Sequence, residues 1–219
     1  MFFARKEEKM KNRRKTIFMQ WVRYIIFGLQ YYLLEKPRGL DFTMRDKSVI
    51  NQEKGFNGYN KTSESHLRKI FSYLPFEKGL SLIDIGCGKG AVLKEGIKYP
   101  FVKVGGIEIS EELVTIAQRN FKRLHIADKI ECILADATEY QGYNNYNVFY
   151  LANPFGEEIF EKVLKKIELG IEKKEGKEYY LIYYKPLHAK VVEKYNWKLK
   201  KKLFDKLRQY DTYIYVRKK

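Results

Sequence analysis

One acidic residue and three glycines at close spacing are the first feature of the sequence that could do chemistry. Asp84 stands near the end of the short apolar run Ser81–Ile85, and Gly86, Gly88 and Gly90 follow it at alternate positions. The run predicts a buried strand, and the residues after the glycines have helical spacing. Glycines let a backbone turn sharply near a ligand, and a helix N-terminus offers unpaired N–H groups. The stretch therefore predicts a small-molecule site whose carboxylate favours a cationic ligand group.

Two kinds of binding loop share this glycine spacing. Gly86-x-Gly88-x-x-Ala91 fits the dinucleotide fingerprint, in which a helix N-terminus holds a pyrophosphate. A carboxylate at Asp84 would repel that pyrophosphate but would suit the ammonium of a methionine moiety. With this acid included, the pattern resembles the first motif of the class I S-adenosylmethionine (SAM)-dependent methyltransferases, acid-x-Gly-x-Gly-x-Gly. The resemblance implies SAM as the cofactor, bound by Asp84, Ile85, Gly86, Cys87, Gly88 and Gly90. The alternative is a purely structural glycine turn.

Acidic residues also end the next two predicted strands. Glu108 lies 18 residues past Gly90, where a carboxylate can accept hydrogen bonds from both hydroxyls of a ribose. The resemblance implies that Asp136 and Ala137 contact the adenine ring and that Ile109 also touches the cofactor. Single acids at strand ends are common, so the prediction for Glu108 depends on its distance in sequence from the glycine loop.

The segment ahead of the first predicted helix of the domain carries an aromatic ring and hydroxyl groups. In the related enzymes a segment of this kind closes over SAM, which makes Tyr59 and Thr62 candidate cofactor contacts. The alternative is a capping role for this segment at the helix that begins near Glu64. Ser63 has a side chain suited to the N-cap of that helix.

The fourth predicted strand runs into Asn153-Pro154-Phe155-Gly156. This segment resembles the Asn-Pro-Pro-aromatic motif of methyltransferases that act on nitrogen, with one proline missing. The resemblance implies that the Asn153 side-chain carbonyl and the Pro154 backbone carbonyl accept hydrogens from an amine, while Phe155 stacks on it. Asn153 would then also border the cofactor. A strand-terminating Asn-Pro turn is the alternative.

An oxygen acceptor would instead require a general base. Of the three histidines in the sequence, His188 is the best placed, two residues past Pro186. No group of residues has metal-ligand spacing, so the sequence predicts no metal. Cys87 and Cys132 lack framework spacing and are interpreted as reduced, intracellular thiols. Cys87 is expected to fill a small-residue position in the glycine loop.

The predicted elements alternate between strand and helix and then end in a hairpin, which is typical of an α/β, Rossmann-like, seven-stranded methyltransferase sheet with an antiparallel C-terminal pair. An N-terminal helical extension over 1–58 is expected to precede a methyltransferase domain over 59–219. The predicted strands span residues 81–85, 102–109, 129–136, 146–152, 178–186, 197–204 and 211–217, and the predicted helices span 17–34, 64–74, 91–97, 110–122, 157–171 and 189–195.

The net charge of +16 lies entirely in the two ends of the chain. Residues 1–38 carry ten Lys and Arg against three acids, residues 185–219 carry twelve against three, and the middle is neutral. Basic ends indicate an anionic partner, either nucleic acid or an anionic membrane surface. A biased genome that favours lysine would produce the same excess.

Residues 17–34 are largely apolar and aromatic, interrupted by Gln20, Arg23 and Gln30 at near-helical spacing. The run is barely long enough to span a bilayer, and a buried arginine would be costly there. No small-residue cleavage site follows it, as a signal peptide would require. The first interpretation is a helix that covers the catalytic domain of a cytoplasmic protein. The second is a helix that lies in a membrane interface and makes the protein membrane-peripheral.

These features together predict a SAM-dependent methyltransferase that acts on a nitrogen of a protein side chain or of a small amine. A second hypothesis is an RNA or DNA methyltransferase that uses the basic ends, although no recognisable RNA-binding module is present. A third is a SAM-binding module without catalysis that serves an interaction or a membrane. The sequence does not identify the acceptor.

Overall fold

Strands and helices alternate along the chain in the computed structural model, which describes residues 17–44, 58–172 and 176–218. The strands are β1 (Ser81–Ile85), β2 (Lys103–Glu108), β3 (Glu131–Leu134), β4 (Val148–Leu151), β5 (Glu178–Tyr184), β6 (Lys198–Asp205) and β7 (Tyr210–Lys218). The helices that follow the first are α2 (Glu64–Phe71), α3 (Ala91–Gly96), α4 (Glu111–Arg123), α5 (Glu157–Ile171) and α6 (Ala189–Glu193). Each of these was predicted, and no predicted end differs from the observed one by more than three residues.

In the part of the chain that the structure describes, the first helix, α1, covers residues 17–29 and continues without a break into a π-helical turn, Gln30–Glu35, and a 3-10 turn, Lys36–Arg38. Gly39 ends it in the left-handed region, with φ +65°. A glycine in this conformation is a common helix stop, since it has no side chain to strain the turn. The helical turns therefore continue past residue 34, where the predicted helix ends, and stop at Gly39.

The seven strands form one sheet in the order β3-β2-β1-β4-β5-β7-β6. The first five in this order are parallel, whereas β7 runs antiparallel to β5 and β6 antiparallel to β7. Asp84 of β1 lies beside Gly106 of β2 and Tyr150 of β4, so the carboxyl ends of these strands meet at one edge. This arrangement confirms the predicted Rossmann-like methyltransferase sheet.

The sheet is covered on both faces, which explains why the sequences of its central strands are largely continuous apolar runs. Successive side chains of a strand point to opposite faces. Leu82 accordingly packs in the core beneath α2 and α3, while Ile83 packs in the core beneath α5. Both side chains are fully buried. Since neither face is open, the ligand-binding position left to this fold is the carboxyl edge of the strands.

The chain after α1 is tied to the domain by a buried polar cluster around Glu35. One Glu35 oxygen accepts hydrogen bonds from the backbone N–H groups of Phe42 and Thr43, both at 2.9 Å. The other accepts from the Thr43 hydroxyl at 2.5 Å and lies 3.5 Å from the Lys61 ammonium. Lys61 also lies 3.4 Å from Glu64, and burial lowers its pKa below the ordinary 10.5. These contacts fasten residues 35–44 against the start of α2.

Ser63 occupies the N-cap of α2, as predicted, but its side chain does not cap the helix. Its hydroxyl instead donates to an Asp205 carboxylate oxygen at 3.1 Å, across the sheet edge. The capping prediction for the Ser63 side chain is therefore wrong, because the bond to Asp205 orients the hydroxyl toward that carboxylate and away from the helix N–H groups. Ser110, by contrast, accepts from the Leu113 N–H and caps α4.

Removal of the Lys61 charge is expected to destabilise the fold. Lys61→Met would leave the buried Glu35 carboxylate without its cation, and breaking a buried ion pair costs about 3–5 kcal/mol. Urea unfolding followed by circular dichroism measures the loss of unfolding free energy. Lys69→Met, at an exposed position on α2, is the control and should change the unfolding free energy by less than about 0.5 kcal/mol. Equal stability of the two variants would contradict the prediction.

Candidate active site

The glycine loop turns directly from β1 into α3. The N–H groups of Gly86 and Cys87 both donate to the carbonyl of Ile107, at 2.9 and 3.0 Å, and this fixes the loop against β2. Gly86 and Gly88 have φ values of +78° and +53°, in the left-handed region that disfavours other residues. The sequence therefore predicted both the turn and the residues that permit it.

Each of these two glycines also faces a neighbouring segment at a distance that leaves no room for a side chain. A Cβ on Gly86 would lie 2.8 Å from the Cβ of Pro154 in the loop after β4. A Cβ on Gly88 would collide with the ring of Tyr59. The loop after β1 is thus packed between the loop after β4 and the segment before α2, and the three together form a cleft.

Asp84 presents a buried carboxylate to this cleft. The residue is only 2% exposed, and its carboxylate accepts no hydrogen bond from any residue that the structure describes. Burial, with a further contribution from the nearby Glu108 charge, raises the pKa of Asp84 well above its ordinary value of 3.8. A buried acid without a partner is costly. The arrangement is suited to a ligand that brings a positive charge or hydrogen-bond donors to Asp84.

Glu108 lies beside Asp84 at the end of β2 and is held by the backbone around it. One of its oxygens accepts from the Gly88 N–H at 2.9 Å, and the other accepts from the N–H groups of Ile109 and Ser110 at 2.9 and 3.0 Å. Burial raises the pKa of Glu108 above 4.5, and the three backbone donors oppose this shift. A carboxylate oxygen can accept two hydrogen bonds, so the oxygen bonded to Gly88 keeps acceptor capacity toward the cleft.

Loss of the Glu108 charge is expected to weaken SAM binding. Glu108→Gln keeps the shape of the side chain but loses hydrogen bonds to a charged group, each worth about 1.5–3 kcal/mol, or roughly tenfold to a hundredfold in affinity. Isothermal titration with SAM measures the change. Glu111→Gln, an exposed acid at the start of α4, is the control. Unchanged affinity in Glu108→Gln would leave Glu108 with a purely structural role in holding the loop.

Tyr59 and Thr62 line the cleft, as predicted, and both have polar partners within the protein. The Tyr59 hydroxyl donates to the carbonyl of Phe42 at 2.5 Å. The Thr62 hydroxyl lies 2.8 Å from the hydroxyl of Tyr150 on β4. These bonds join the segment before α2 to the chain after α1 and to the sheet. Their contact with the cofactor stays a prediction.

The loop after β4 carries Asn153 in a left-handed conformation, with φ +50°. Asparagine tolerates this region better than most residues. The Asn153 side chain is buried, and its carbonyl oxygen accepts a hydrogen bond from the Tyr183 hydroxyl at 3.1 Å. That hydroxyl in turn accepts from the His188 N–H at 3.3 Å. The side chain is therefore held in one orientation by the end of β5.

The cleft brings together twelve of the fifteen residues that the sequence assigned to the site. Those in its lining are Tyr59, Thr62, Asp84, Gly86, Cys87, Gly88, Glu108, Ile109, Ala137, Asn153, Pro154 and Phe155. Asn60, Lys61, Ala91, Val92, Leu113, Ala135 and Ala152 are among the other residues that line it. Predicted cofactor residues and predicted acceptor residues thus share one cleft at the carboxyl edge of the sheet.

Three predicted residues lie outside this lining. Ile85 is fully buried in the core beneath α5. Gly90 adopts φ +81° and packs against the Phe121 ring, so its conformation and its packing explain the glycine. Asp136 is exposed, and one of its oxygens accepts from both the N–H and the hydroxyl of Thr138, each at 2.8 Å. Contact of these residues with a cofactor stays a prediction.

His188 also lies outside the lining, with Nδ1 3.5 Å from a Glu157 oxygen. The two cysteines are free thiols, and their sulfurs are 3.9 Å apart. Cys87 is a buried residue of the glycine loop, in agreement with the predicted small-residue position. Among residues 17–44, 58–172 and 176–218, no group of three or more His, Cys, Asp or Glu could hold a metal.

Sequence reasoning missed the contacts that brace the cleft from the N-terminal side. Asp41 makes a 2.7 Å ion pair with Lys89 of the glycine loop. The backbone N–H and carbonyl of Asp41 are both bonded to the Asn120 side chain, at 2.9 Å each. The Lys89 ammonium also lies 5.6 Å from the centre of the Tyr59 ring. The lysine inside the glycine motif was the available signal, because a buried lysine needs an acidic partner.

The fold and the cleft define a SAM-dependent methyltransferase. Strand order, the antiparallel C-terminal pair and the acid-glycine loop all agree with this class. Comparison with known families then assigns the chain more closely. The chain belongs to the mycolic acid cyclopropane synthetase family, whose model matches residues 54–195.

Similar proteins and solved structures that carry the name of a methyltransferase or a methylase agree with this class. An rRNA N(6)-adenosine-methyltransferase from Caenorhabditis elegans is 29% identical in an alignment over 122 residues, with 49% of this chain and 56% of that protein covered. The chain therefore matches little more than half the length of this curated relative. An RNA methyltransferase from Salinibacter ruber, solved with S-adenosyl-L-homocysteine, has a TM-score of 0.55 at 15% identity, with 73% of this chain and 95% of that chain covered.

The ribosomal protein L11 methylase from Lactobacillus delbrueckii subsp. bulgaricus gives a TM-score of 0.56 at 14% identity, with 82% of this chain and 84% of that chain covered. At such identities these structures share the fold alone. The cofactor is SAM, and the cleft fits it. The unpartnered Asp84 carboxylate suits a cationic group, and the glycine loop leaves space where side chains would obstruct a ligand.

Proposed function

We propose that this methyltransferase transfers the methyl group to a nitrogen atom. The observation that carries the proposal is the position of Asn153-Pro154-Phe155 in the same cleft as Asp84, with Pro154 packed against Gly86. The acceptor motif and the cofactor loop are therefore in direct contact. An acceptor bound at Asn153 would lie next to the cofactor, and such proximity supplies much of the rate in a displacement reaction.

The residues of the cleft divide into two groups by their chemistry. When bound, SAM supplies a methyl group that its sulfonium already activates. Asp84 and Glu108 offer acceptor oxygens and negative charge for holding that cofactor. The Asn153 side-chain carbonyl and the Pro154 backbone carbonyl offer acceptors for the hydrogens of an amine, and Phe155 offers an apolar wall. Tyr183 keeps the Asn153 oxygen oriented through a 3.1 Å hydrogen bond.

A neutral amino nitrogen suits this cleft better than a lysine side chain. A lysine amine has a pKa near 10.4 and must lose a proton before it can accept a methyl group. Among the described residues that line the cleft there is no histidine to take that proton, and His188 faces Glu157 instead. An amino group on an aromatic base is already neutral at pH 7. It needs only the two carbonyl acceptors to aim it.

RNA is the acceptor that we favour. The curated relative from Caenorhabditis elegans is named for methylation of adenosine N6 in rRNA, which is a neutral amino nitrogen of the required kind. The surplus of positive charge in both ends of the chain suits a polyanion. In the described part of the chain, exposed lysines of β6 extend that charge along the sheet edge: Lys198, Lys200, Lys201 and Lys202. A protein side chain or a small amine is the alternative acceptor.

Transfer of labelled methyl groups from SAM into a fractionated cell extract tests the proposal. The expected result is label in RNA, released by ribonuclease and recovered as an N-methylated nucleoside. The Asp84→Asn protein is the control for contaminating activity, since it should transfer no label. Label that resists ribonuclease and follows protein or small amines would overturn the RNA acceptor. Label recovered as an O-methyl group would overturn the nitrogen acceptor as well.

A further inference from the structure

Helix α1 exposes an apolar surface that no other described helix matches. Between residues 17 and 34 of the described chain, ten large apolar or aromatic side chains are at least two-fifths exposed: Ile17, Phe18, Trp21, Tyr24, Ile25, Ile26, Leu29, Tyr32, Leu33 and Leu34. Single exposed apolar residues are ordinary in soluble proteins, whereas a contiguous patch marks an interaction site. The outward face of α1 is such a patch.

The exposed residues follow helical spacing along one side of α1. Phe18, Trp21, Ile25 and Leu29 are separated by three or four residues and are 66%, 66%, 58% and 54% exposed, so they form one continuous stripe. The opposite side faces the domain. There the Phe27 ring lies 4.1 Å from the Arg208 guanidinium carbon. The helix therefore contacts the domain through one side, while the residues that the structure describes leave its second apolar side exposed.

Positive charge accompanies this apolar face. Lys36 and Arg38 follow directly at the C-terminal end of the helix. On the N-terminal side, residues 1–16 contain seven Lys and Arg against two acids in the sequence. An apolar, aromatic face with basic residues at both ends is the composition of a helix that lies in a lipid–water interface. Trp21, Tyr24 and Tyr32 are side chains that favour that interface.

We propose that α1 docks on the surface of an anionic lipid bilayer. The charge is complementary to anionic headgroups, and the aliphatic residues of the stripe are suited to the acyl region beneath them. An RNA partner would not explain Ile25 and Leu29, because aliphatic side chains offer no ring on which a base could stack. Within the part of the chain that the structure describes, no helix is long and apolar enough to cross a membrane. The proposed mode is therefore adsorption on one leaflet.

This surface lies outside the part of the chain that the family model matches. The family model matches residues 54–195, and α1 lies before them. The helix is nonetheless coupled to the cleft, since Glu35 at its end contacts Lys61, which lines the cleft. Adsorption through α1 would therefore bring the catalytic cleft to the membrane. The proposal does not depend on the identity of the methyl acceptor.

Co-sedimentation with vesicles tests the proposal on the full chain. The native protein is expected to bind vesicles of phosphatidylglycerol and phosphatidylcholine in equal parts, and to bind pure phosphatidylcholine at least about tenfold more weakly. The triple variant Trp21→Gln/Ile25→Gln/Leu29→Gln should bind the anionic vesicles at least about tenfold more weakly than the native protein. All three positions are exposed, so the variant should fold, and SAM binding by the variant verifies this.

The matched control changes three exposed apolar residues elsewhere, Val102→Gln/Leu169→Gln/Leu187→Gln, and should bind vesicles like the native protein. Failure of the native protein to bind anionic vesicles would overturn the proposal. Equal binding of anionic vesicles by the two triple variants would also overturn the proposal, because charge alone would then account for adsorption. Sedimentation velocity tests whether the apolar face of α1 instead binds a second copy of the chain. A native dimer without vesicle binding, lost in the α1 variant, would identify a second copy as the occupant and overturn the lipid.

Discussion

Replacement of Asp84 by asparagine is expected to weaken SAM binding strongly in a protein that remains folded. Asparagine keeps the size and shape of the side chain but removes the only charge it brings to the cleft. Truncating one partner of a desolvated charge pair costs about 2–5 kcal/mol, or roughly thirtyfold to several thousandfold in affinity. Isothermal titration with SAM measures the loss. Asp128→Asn, an exposed acid in the turn Ala127–Lys129, is the control and should bind normally.

The same substitution is expected to stabilise the protein when SAM is absent. The pKa of Asp84 in the folded protein is raised well above 3.8, chiefly by burial. A carboxyl with a raised folded-state pKa contributes most to stability below pH 3.8. That contribution falls as the pH rises toward the folded-state pKa. As the carboxyl loses its proton, the free energy of unfolding therefore decreases, and asparagine, which does not ionise, avoids this loss. The thermal midpoint of Asp84→Asn at pH 7 should equal or exceed that of the native protein without SAM.

SAM affinity should also depend on pH through Asp84. A bound cation favours the charged carboxylate, so binding to the protonated form must release a proton. Affinity should therefore fall as the pH is lowered through the raised pKa of Asp84, by up to about tenfold per pH unit. The Asp84→Asn protein should lack this slope in any residual binding. Native-like SAM affinity in Asp84→Asn would contradict the cofactor role of the carboxylate and, with it, the charge argument for the whole cleft.

The features that the sequence predicted well depend on residues close together in the chain. The glycine loop could be predicted because Asp84 and Gly86 are only two residues apart, and because glycine adopts a left-handed turn more readily than other residues. Glu108 was placed by its offset from that loop. The helix from Glu157 to Ile171 was predicted to the residue, since its apolar positions repeat with helical period. The alternation of strands and helices also predicted that the central strands of the sheet are parallel.

The features that the sequence did not predict depend on contacts between distant segments. Tyr183 lies thirty residues beyond Asn153, whose oxygen accepts its hydroxyl hydrogen, and only the pairing of β5 with β4 brings them together. Glu35 and Lys61 are likewise separated by twenty-six residues. Nothing in the local pattern of either residue indicates a partner. Ser63 shows the same limit, because local preference predicted a cap, whereas its hydroxyl donates to the distant Asp205 carboxylate.

Removal of the Asn153 side chain is expected to reduce turnover far more than SAM affinity. Asn153 adopts φ +50°, a conformation that strains alanine but not glycine. Asn153→Gly therefore deletes the side chain without distorting the loop. Losing one orienting hydrogen bond in a buried site costs about 1–3 kcal/mol, or roughly ten- to a hundredfold in rate. Pro154 and its carbonyl remain, so measurable activity should survive. Single-turnover transfer to the identified acceptor and titration with SAM measure the two quantities separately.

The chain offers a closely matched control for this experiment. Asn196 also adopts a left-handed conformation, with φ +56°, but it is exposed and lies outside the cleft. Asn196→Gly should therefore change neither rate nor affinity. Tyr183→Phe removes the hydroxyl that orients Asn153 and should lower turnover by a smaller factor at unchanged SAM affinity. Full turnover in Asn153→Gly would make Asn-Pro-Phe a strand-terminating turn. An equal loss of affinity and rate would instead assign Asn153 to the cofactor, and in either case the nitrogen acceptor would lose its local support.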